Sequence, residues 1–243
     1  MNGFMSVFKR EFKGYFSTPL AYVFLVIFLF AAGYKMFSDG FYQMRQADMR
    51  TFFSNLPLLF VFMVPATAMR LWAEERKSGS IELLLTLPIT VTQAVLGKFF
   101  AAWLFLAVAL LLTIPVPITV CYLGDPDIGM IITGYIGSLF LAGGFLAIGS
   151  FFSAVTKNQV ICLVLSAVVC GIFIIADMPT TQAFLSRFLM PGLVKAISQL
   201  SFQGRFDSIQ RGVIQFKDMA YFILIIAGWV WANIIILDER KAS

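Results

Sequence analysis

Charged and helix-capping residues concentrate in residues 70–98 (RLWAEERKSGSIELLLTLPITVTQAVLGK), a stretch between two segments too apolar for water. Arg70, Glu74, Glu75, Arg76 and Lys77 close one helix, and Ser78-Gly79 supplies a glycine that can take the left-handed conformation and end it. Ser80 is placed to cap a short amphipathic helix. Glu82 stands in its first turn, where the dipole favours a carboxylate; Leu83, Leu84, Leu85 and Leu87 form its apolar face, and Pro88 ends it. Thr90 and Gln93 have capping-box spacing, so a new helix begins near Val91. Helix, stop, short exposed helix, stop, helix: this order describes a hairpin that takes force from a partner.

Bond-making chemistry finds few candidate groups. The chain has no histidine, the commonest general base and metal ligand. Cys121, Cys162 and Cys170 fall in apolar runs without metal-ligand spacing and read as small buried residues. No G-x-x-x-x-G-K-[ST] loop is present to cradle phosphates, so energy from ATP has to come from another chain. The aspartates sit in connections or at span ends, which disfavours intramembrane proteolysis and proton-relay transport.

The elements around the hairpin follow from composition. With 243 residues, 60% of them hydrophobic, and a mean hydropathy of +0.88, the chain falls in the membrane class. Its net charge of +5 is scattered between apolar runs, which argues against nucleic acid. In residues 1–17, Phe4, Phe8, Phe12 and Phe16 recur every four residues with Lys9, Arg10 and Lys13 on other faces. They predict an interfacial helix lying along the membrane surface. Apolar runs predict six spans, at about 19–37, 52–72, 99–121, 129–152, 159–176 and 219–237. Pro57 and Pro65 loosen the second, Pro115 and Pro117 break the far end of the third, and Lys98 marks the inner interface. The pairs Gly134/Ser138, Gly143/Ala147 and Gly149/Ser153 give the fourth span a small-residue spacing suited to close helix packing, inside the bundle or at a dimer seam. Residues 180–218 carry apolar positions at helical spacing and predict short helices on the outer surface. Basic residues beside the first span place both termini on the cytoplasmic side. The expected fold is an all-α integral membrane protein forming one domain over 1–243.

Residues 75–88, E-R-K-S-G-S-I-E-L-L-L-T-L-P, resemble the signature of ABC-2 type permeases; Glu75, Gly79, Ser80, Glu82, Leu83, Leu84 and Pro88 fall on its positions. The flanking Met69 to Glu74 resembles the gliding-motility-associated branch of that family. The resemblance implies a non-catalytic permease subunit of an ATP-driven exporter in the bacterial cytoplasmic membrane. It would work with a separate ABC ATPase that holds ATP and magnesium, and with a second copy or a homologous permease. In that branch a further membrane protein with a large extracytoplasmic domain is often present. The hairpin would be the coupling element, made of Glu74, Glu75, Arg76, Gly79, Ser80, Glu82, Leu83, Leu84 and Pro88, with Glu75 and Glu82 meeting basic residues of the ATPase and Gly79 and Pro88 fixing its shape. The rival reading from another class is a mechanotransmission or anchoring subunit that moves an external partner and transports nothing.

Overall fold

Local signals written into the sequence set where each helix starts and stops. A computed structural model describes residues 3–38, 48–79, 89–213 and 215–242, and among these residues it contains helices and no strand. In chain order they are α1 (Gly3–Ser17), α2 (Pro19–Ser38), α3 (Arg50–Ala68), α4 (Ala73–Ser78), α5 (Val91–Leu111) and α6 (Pro115–Leu123). Then follow α7 (Ile128–Val155), α8 (Gln159–Ile175), α9 (Pro179–Leu185), α10 (Pro191–Gln199), α11 (Phe202–Gln210) and α12 (Phe216–Ala242). Thr90 and Gln93 form the capping box at the start of α5, each side chain accepting from the other's backbone N–H. Asp127 caps α7 by accepting from Gly129 N at 2.8 Å, and Asn158 caps α8 by accepting from Val160 N at 2.9 Å. Pro115, Pro179 and Pro191 open α6, α9 and α10 at positions where a missing N–H costs nothing.

Among the described residues, five helical stretches are long and apolar enough to cross a membrane: Pro19–Ser38, Arg50–Ser78, Val91–Leu123, Ile128–Val155 and Phe216–Glu239. A sixth is reached if α8 and α9, which meet at a 91° bend, count as one broken span. The second stretch carries an interruption at residues 69–72 that its apolar pattern did not announce. The third is broken at residues 112–114, just before Pro115, as expected. Pro57 and Pro65 both lie inside α3, which remains one helix through them.

Helix α7 is the axis of the bundle, packed against α3, α5, α8, α11 and α12. Its glycines set how closely those neighbours approach. A Cβ at Gly149 would lie 2.5 Å from the Ala68 Cβ, and one at Gly134 would enter the Phe53 ring. At Gly143 it would stand 2.9 Å from Ile226 of α12. Gly134, Ser138, Gly143, Ala147 and Gly149 are all buried within this chain, so their seam is intramolecular. One amide reaches the same axis: Asn233 of α12 donates to Ser150 Oγ at 2.6 Å.

Two expectations change on the structure, the placement of α11 and the burial of Cys121. Helix α11 does not lie on a surface: Phe202, Phe206 and Ile209 sink into the bundle against α7, whereas α9 and α10 bury no side chain. One face of an amphipathic helix can be read from spacing, but the partner of that face cannot. Helix α1 follows α5 closely: Val7 sits on Gly97, and Tyr15 stacks on Phe105 at 4.8 Å between ring centres. Its Phe4, Phe8, Phe12 and Phe16 form a half-buried ladder of ring contacts. Cys121 is exposed on α6, unlike the buried Cys162 and Cys170.

Candidate functional site

The polar groups of residues 70–79 converge at one end of the bundle, and Lys98 lies at their centre. It occupies the second turn of α5, and its side chain is 2% exposed. Lys98 Nζ donates to Glu75 Oε1 at 2.8 Å, to Glu11 Oε1 at 3.2 Å and to the Leu71 carbonyl at 3.0 Å. It also lies 4.9 Å from the centre of the Trp72 ring. An ammonium has three N–H groups, and here each has a partner on a different element: α1, the 69–72 turn and α4. A cation buried with that many partners is held in place, because withdrawing any one leaves charge in a low-dielectric site.

Arg10 adds a second, half-exposed cation, 2.8 Å from Glu11 and 3.6 Å from Glu75. Burial alone would raise the Glu11 carboxyl; Lys98 and then Arg10 outweigh it and hold the group below its ordinary value of 4.5. Glu11 is therefore an anion at neutral pH.

The other side of α4 is bound to the end of α7. Ser153 Oγ accepts from the backbone N–H groups of Trp72 and Ala73, each at 3.0 Å, and donates to the Met69 carbonyl at 3.0 Å. A short helix with no cap from its own chain neighbours thus takes one from α7. Arg76 Nη1 donates to the Ala154 carbonyl at 2.6 Å, close to the C-terminal end of α7 where a cation is favoured. Helix α4 is clamped between α7 on one side and α5 with α1 on the other.

The expected site residues divide accordingly. Glu75 and Arg76 turn inward to these partners, whereas Glu74 is half exposed and pairs with Arg70 Nε at 3.1 Å. Gly79 ends α4 with φ +74°, the left-handed conformation expected of it. Ser80, Glu82, Leu83, Leu84 and Pro88 lie outside the described residues. Reading the sequence missed Lys98, Glu11, Trp72 and Ser153. A signal existed for the first two: Glu11 is the only acid before Asp39, and Lys98 the only cation between Lys77 and Lys157.

Fold and site together define a multi-pass helical membrane protein whose short charged helix is fastened to α1, α5 and α7. Residues 5–236 match the family described as ABC-2 family transporter protein, and the chain belongs to that family. No curated protein matches it. Members of the family are membrane permease components of ABC exporters, typically non-catalytic, and generally work with an ABC ATPase subunit.

Proposed function

We propose that the chain is the permease subunit of an ATP-driven exporter and that residues 73–88 carry the motion of a separate ATPase into the bundle. The observation that carries this reading is the double attachment of α4. Ser153 and Arg76 fasten it to α7, while Lys98 fastens it to α5 and α1. A push on the hairpin therefore moves three elements at once, where a surface loop with exposed ion pairs would yield without moving them.

In this reading ATP and magnesium bind the partner, at the bundle end that carries α4, which faces the cytoplasm together with both termini. Ser80, Glu82, Leu83, Leu84 and Pro88 present the contact surface to the ATPase. Gly79 sets the direction of the hairpin, and Glu75 and Arg76 transmit rather than touch. Helix α1 lies at the membrane interface, with its phenylalanine ladder toward acyl chains. A second permease copy or a homologue completes the pathway, and α9 and α10 lie on the external side. The resemblance of Met69 to Glu74 to the gliding-motility-associated branch adds an external membrane partner. Exposed Phe184, Phe188 and Met190 on α9 and the turn after it give that partner a surface, and with it the second reading, an anchoring subunit that moves it.

Co-purification with the candidate ATPase tests the proposal. Wild type should hold the ATPase, and Glu82→Arg and Gly79→Pro should release it while each variant elutes as a folded membrane protein. Retention of the ATPase by both variants would remove the hairpin from the interface.

A further inference from the structure

Beside the clamped helix, a polar cleft of about 200 Å³ opens between α1 and the 69–74 segment, lined by Gly14, Tyr15, Thr18, Arg70 and Glu74. Arg70 spends only its Nε on Glu74, and no other hydrogen bond to Arg70 forms among the described residues. Its two terminal amino groups, and the Tyr15 hydroxyl, are donors without a protein acceptor there. Arg70 is about three-quarters shielded from solvent, so these donors are held rather than waving freely. The Arg70–Glu74 pair offers adjacent positive and negative charge, the complement of a zwitterion. Glu11, also at this cleft, is already neutralised by Lys98 and Arg10.

A second feature lies between the two helices that adjoin the cleft in the chain, α2 after Thr18 and α3 before the 69–74 segment. Helices α2 and α3 enclose an apolar groove of about 220 Å³ lined by Phe24, Phe28, Ala31, Leu59, Met63 and Ala66. Phe24 of the groove stands six residues after Thr18 of the cleft, and Ala66 of the groove stands four residues before Arg70 of the cleft, so the groove leads toward the cleft along both segments. Polar cleft and apolar groove in this order have the layout of one phospholipid.

We propose that this is a binding site for a glycerophospholipid with a primary-amine headgroup, phosphatidylethanolamine in class. Its phosphate is held by Arg70 and Tyr15, its ammonium by Glu74, and one acyl chain by the α2–α3 groove. The proposed function enters only in naming the leaflet, the cytoplasmic one; the binding chemistry stands without it. Arg70 recognises phosphate through paired N–H groups. Glu74 needs an ammonium that still carries N–H, which a choline headgroup lacks and a glycerol headgroup replaces with a neutral hydroxyl. A lipid seated there touches α1, α2 and the start of α4, and so stiffens the joint on which the hairpin turns.

Native mass spectrometry of the isolated chain tests the site without any ATPase, so its failure is separate from failure of the exporter reading. The chain is offered phosphatidylethanolamine, phosphatidylcholine and phosphatidylglycerol with matched acyl chains. The expected result is retention of the ethanolamine lipid over the other two by about tenfold, the worth of one charge-assisted hydrogen bond. Glu74→Gln should abolish the preference over phosphatidylglycerol, Arg70→Gln should weaken all three, and Ala31→Phe, which fills the groove, should do the same without changing their order. Soluble phosphoethanolamine should fail to displace the bound lipid. Equal retention of the three lipids by wild type, full displacement by phosphoethanolamine, or wild-type preference in folded Glu74→Gln would each overturn the proposal.

Discussion

Replacing Lys98 with methionine removes the cation while keeping most of the side-chain volume, and its cost can be worked from the contacts. The substitution leaves Glu11 and Glu75 facing one another with Arg10 beside both. Arg10 stays 2.8 Å from Glu11 and 3.6 Å from Glu75, but about half of its side chain is in solvent. Removing one partner from a buried ion pair costs about 3–5 kcal/mol, and a half-exposed arginine offsets only a small part. We therefore expect Lys98→Met to lose about 3 kcal/mol, or on the order of 6–12 °C in the melting temperature of a chain this size. The assay is thermal unfolding in detergent, followed by tryptophan fluorescence, since Trp72 lies against Lys98. A companion variant, Lys98→Met with Glu11→Gln and Glu75→Gln, leaves Arg10 as the remaining charge of the cluster, about half in solvent, and should regain most of the loss. The reasoning fails if the single variant melts within about 1 °C of wild type, or if the triple variant melts no higher than the single one.

The remaining predictions use the same unfolding assay. Gly149→Leu should destabilise by several kcal/mol, on the order of an overpacked core at least, because even a Cβ there would stand 2.5 Å from Ala68; an unchanged melting temperature would mean α3 and α7 are not packed as described. Thr90→Val should cost about 1 kcal/mol through loss of the capping box at α5, while Thr90→Ser should not. The carboxyl of Glu11 is lowered in the folded state, so its contribution is complete above its ordinary value of 4.5 and is lost as pH falls through the lower folded value. The stability gap between wild type and Glu11→Gln should accordingly stay level from neutral pH down to about 4.5, shrink as pH falls from there toward the lower folded value, and be closed below it. Asp207 behaves oppositely: burial raises it, against Arg211 and Gln203 and with Asp177, so its charge opposes folding at neutral pH and the penalty fades on acidification. Asp207→Asn should therefore be neutral or stabilising at pH 7, and a clear loss would show the charge to be needed.

Signals confined to a few neighbouring residues were legible in the sequence. The capping box of Thr90 and Gln93, the left-handed Gly79, the break before Pro115 and the small-residue face of α7 all depend on spacing within one helix, and spacing is what a sequence displays. What could not be read is which distant groups meet. Lys98 beside an apolar run looks like an anchor at the membrane surface, whereas its partners Glu75 and Glu11 stand 23 and 87 residues away. Ser153 looked like one of several small residues for close packing, yet its hydroxyl serves as the cap of a helix 80 residues earlier. The same limit applies to α11, whose apolar face is plain in the sequence and whose burial against α7 depends on the fold around it.

The central claim is that the hairpin moves the bundle through Lys98 and Ser153, and the most direct measurement is ATP turnover by the assembled ATPase–permease complex in lipid nanodiscs. Wild type is compared with Lys98→Met and Ser153→Ala at a temperature where every variant remains folded and bound to the ATPase. The account predicts that both variants keep the ATPase but lose most of the permease's influence on its turnover. Turnover identical to wild type in complexes shown to be intact would contradict it.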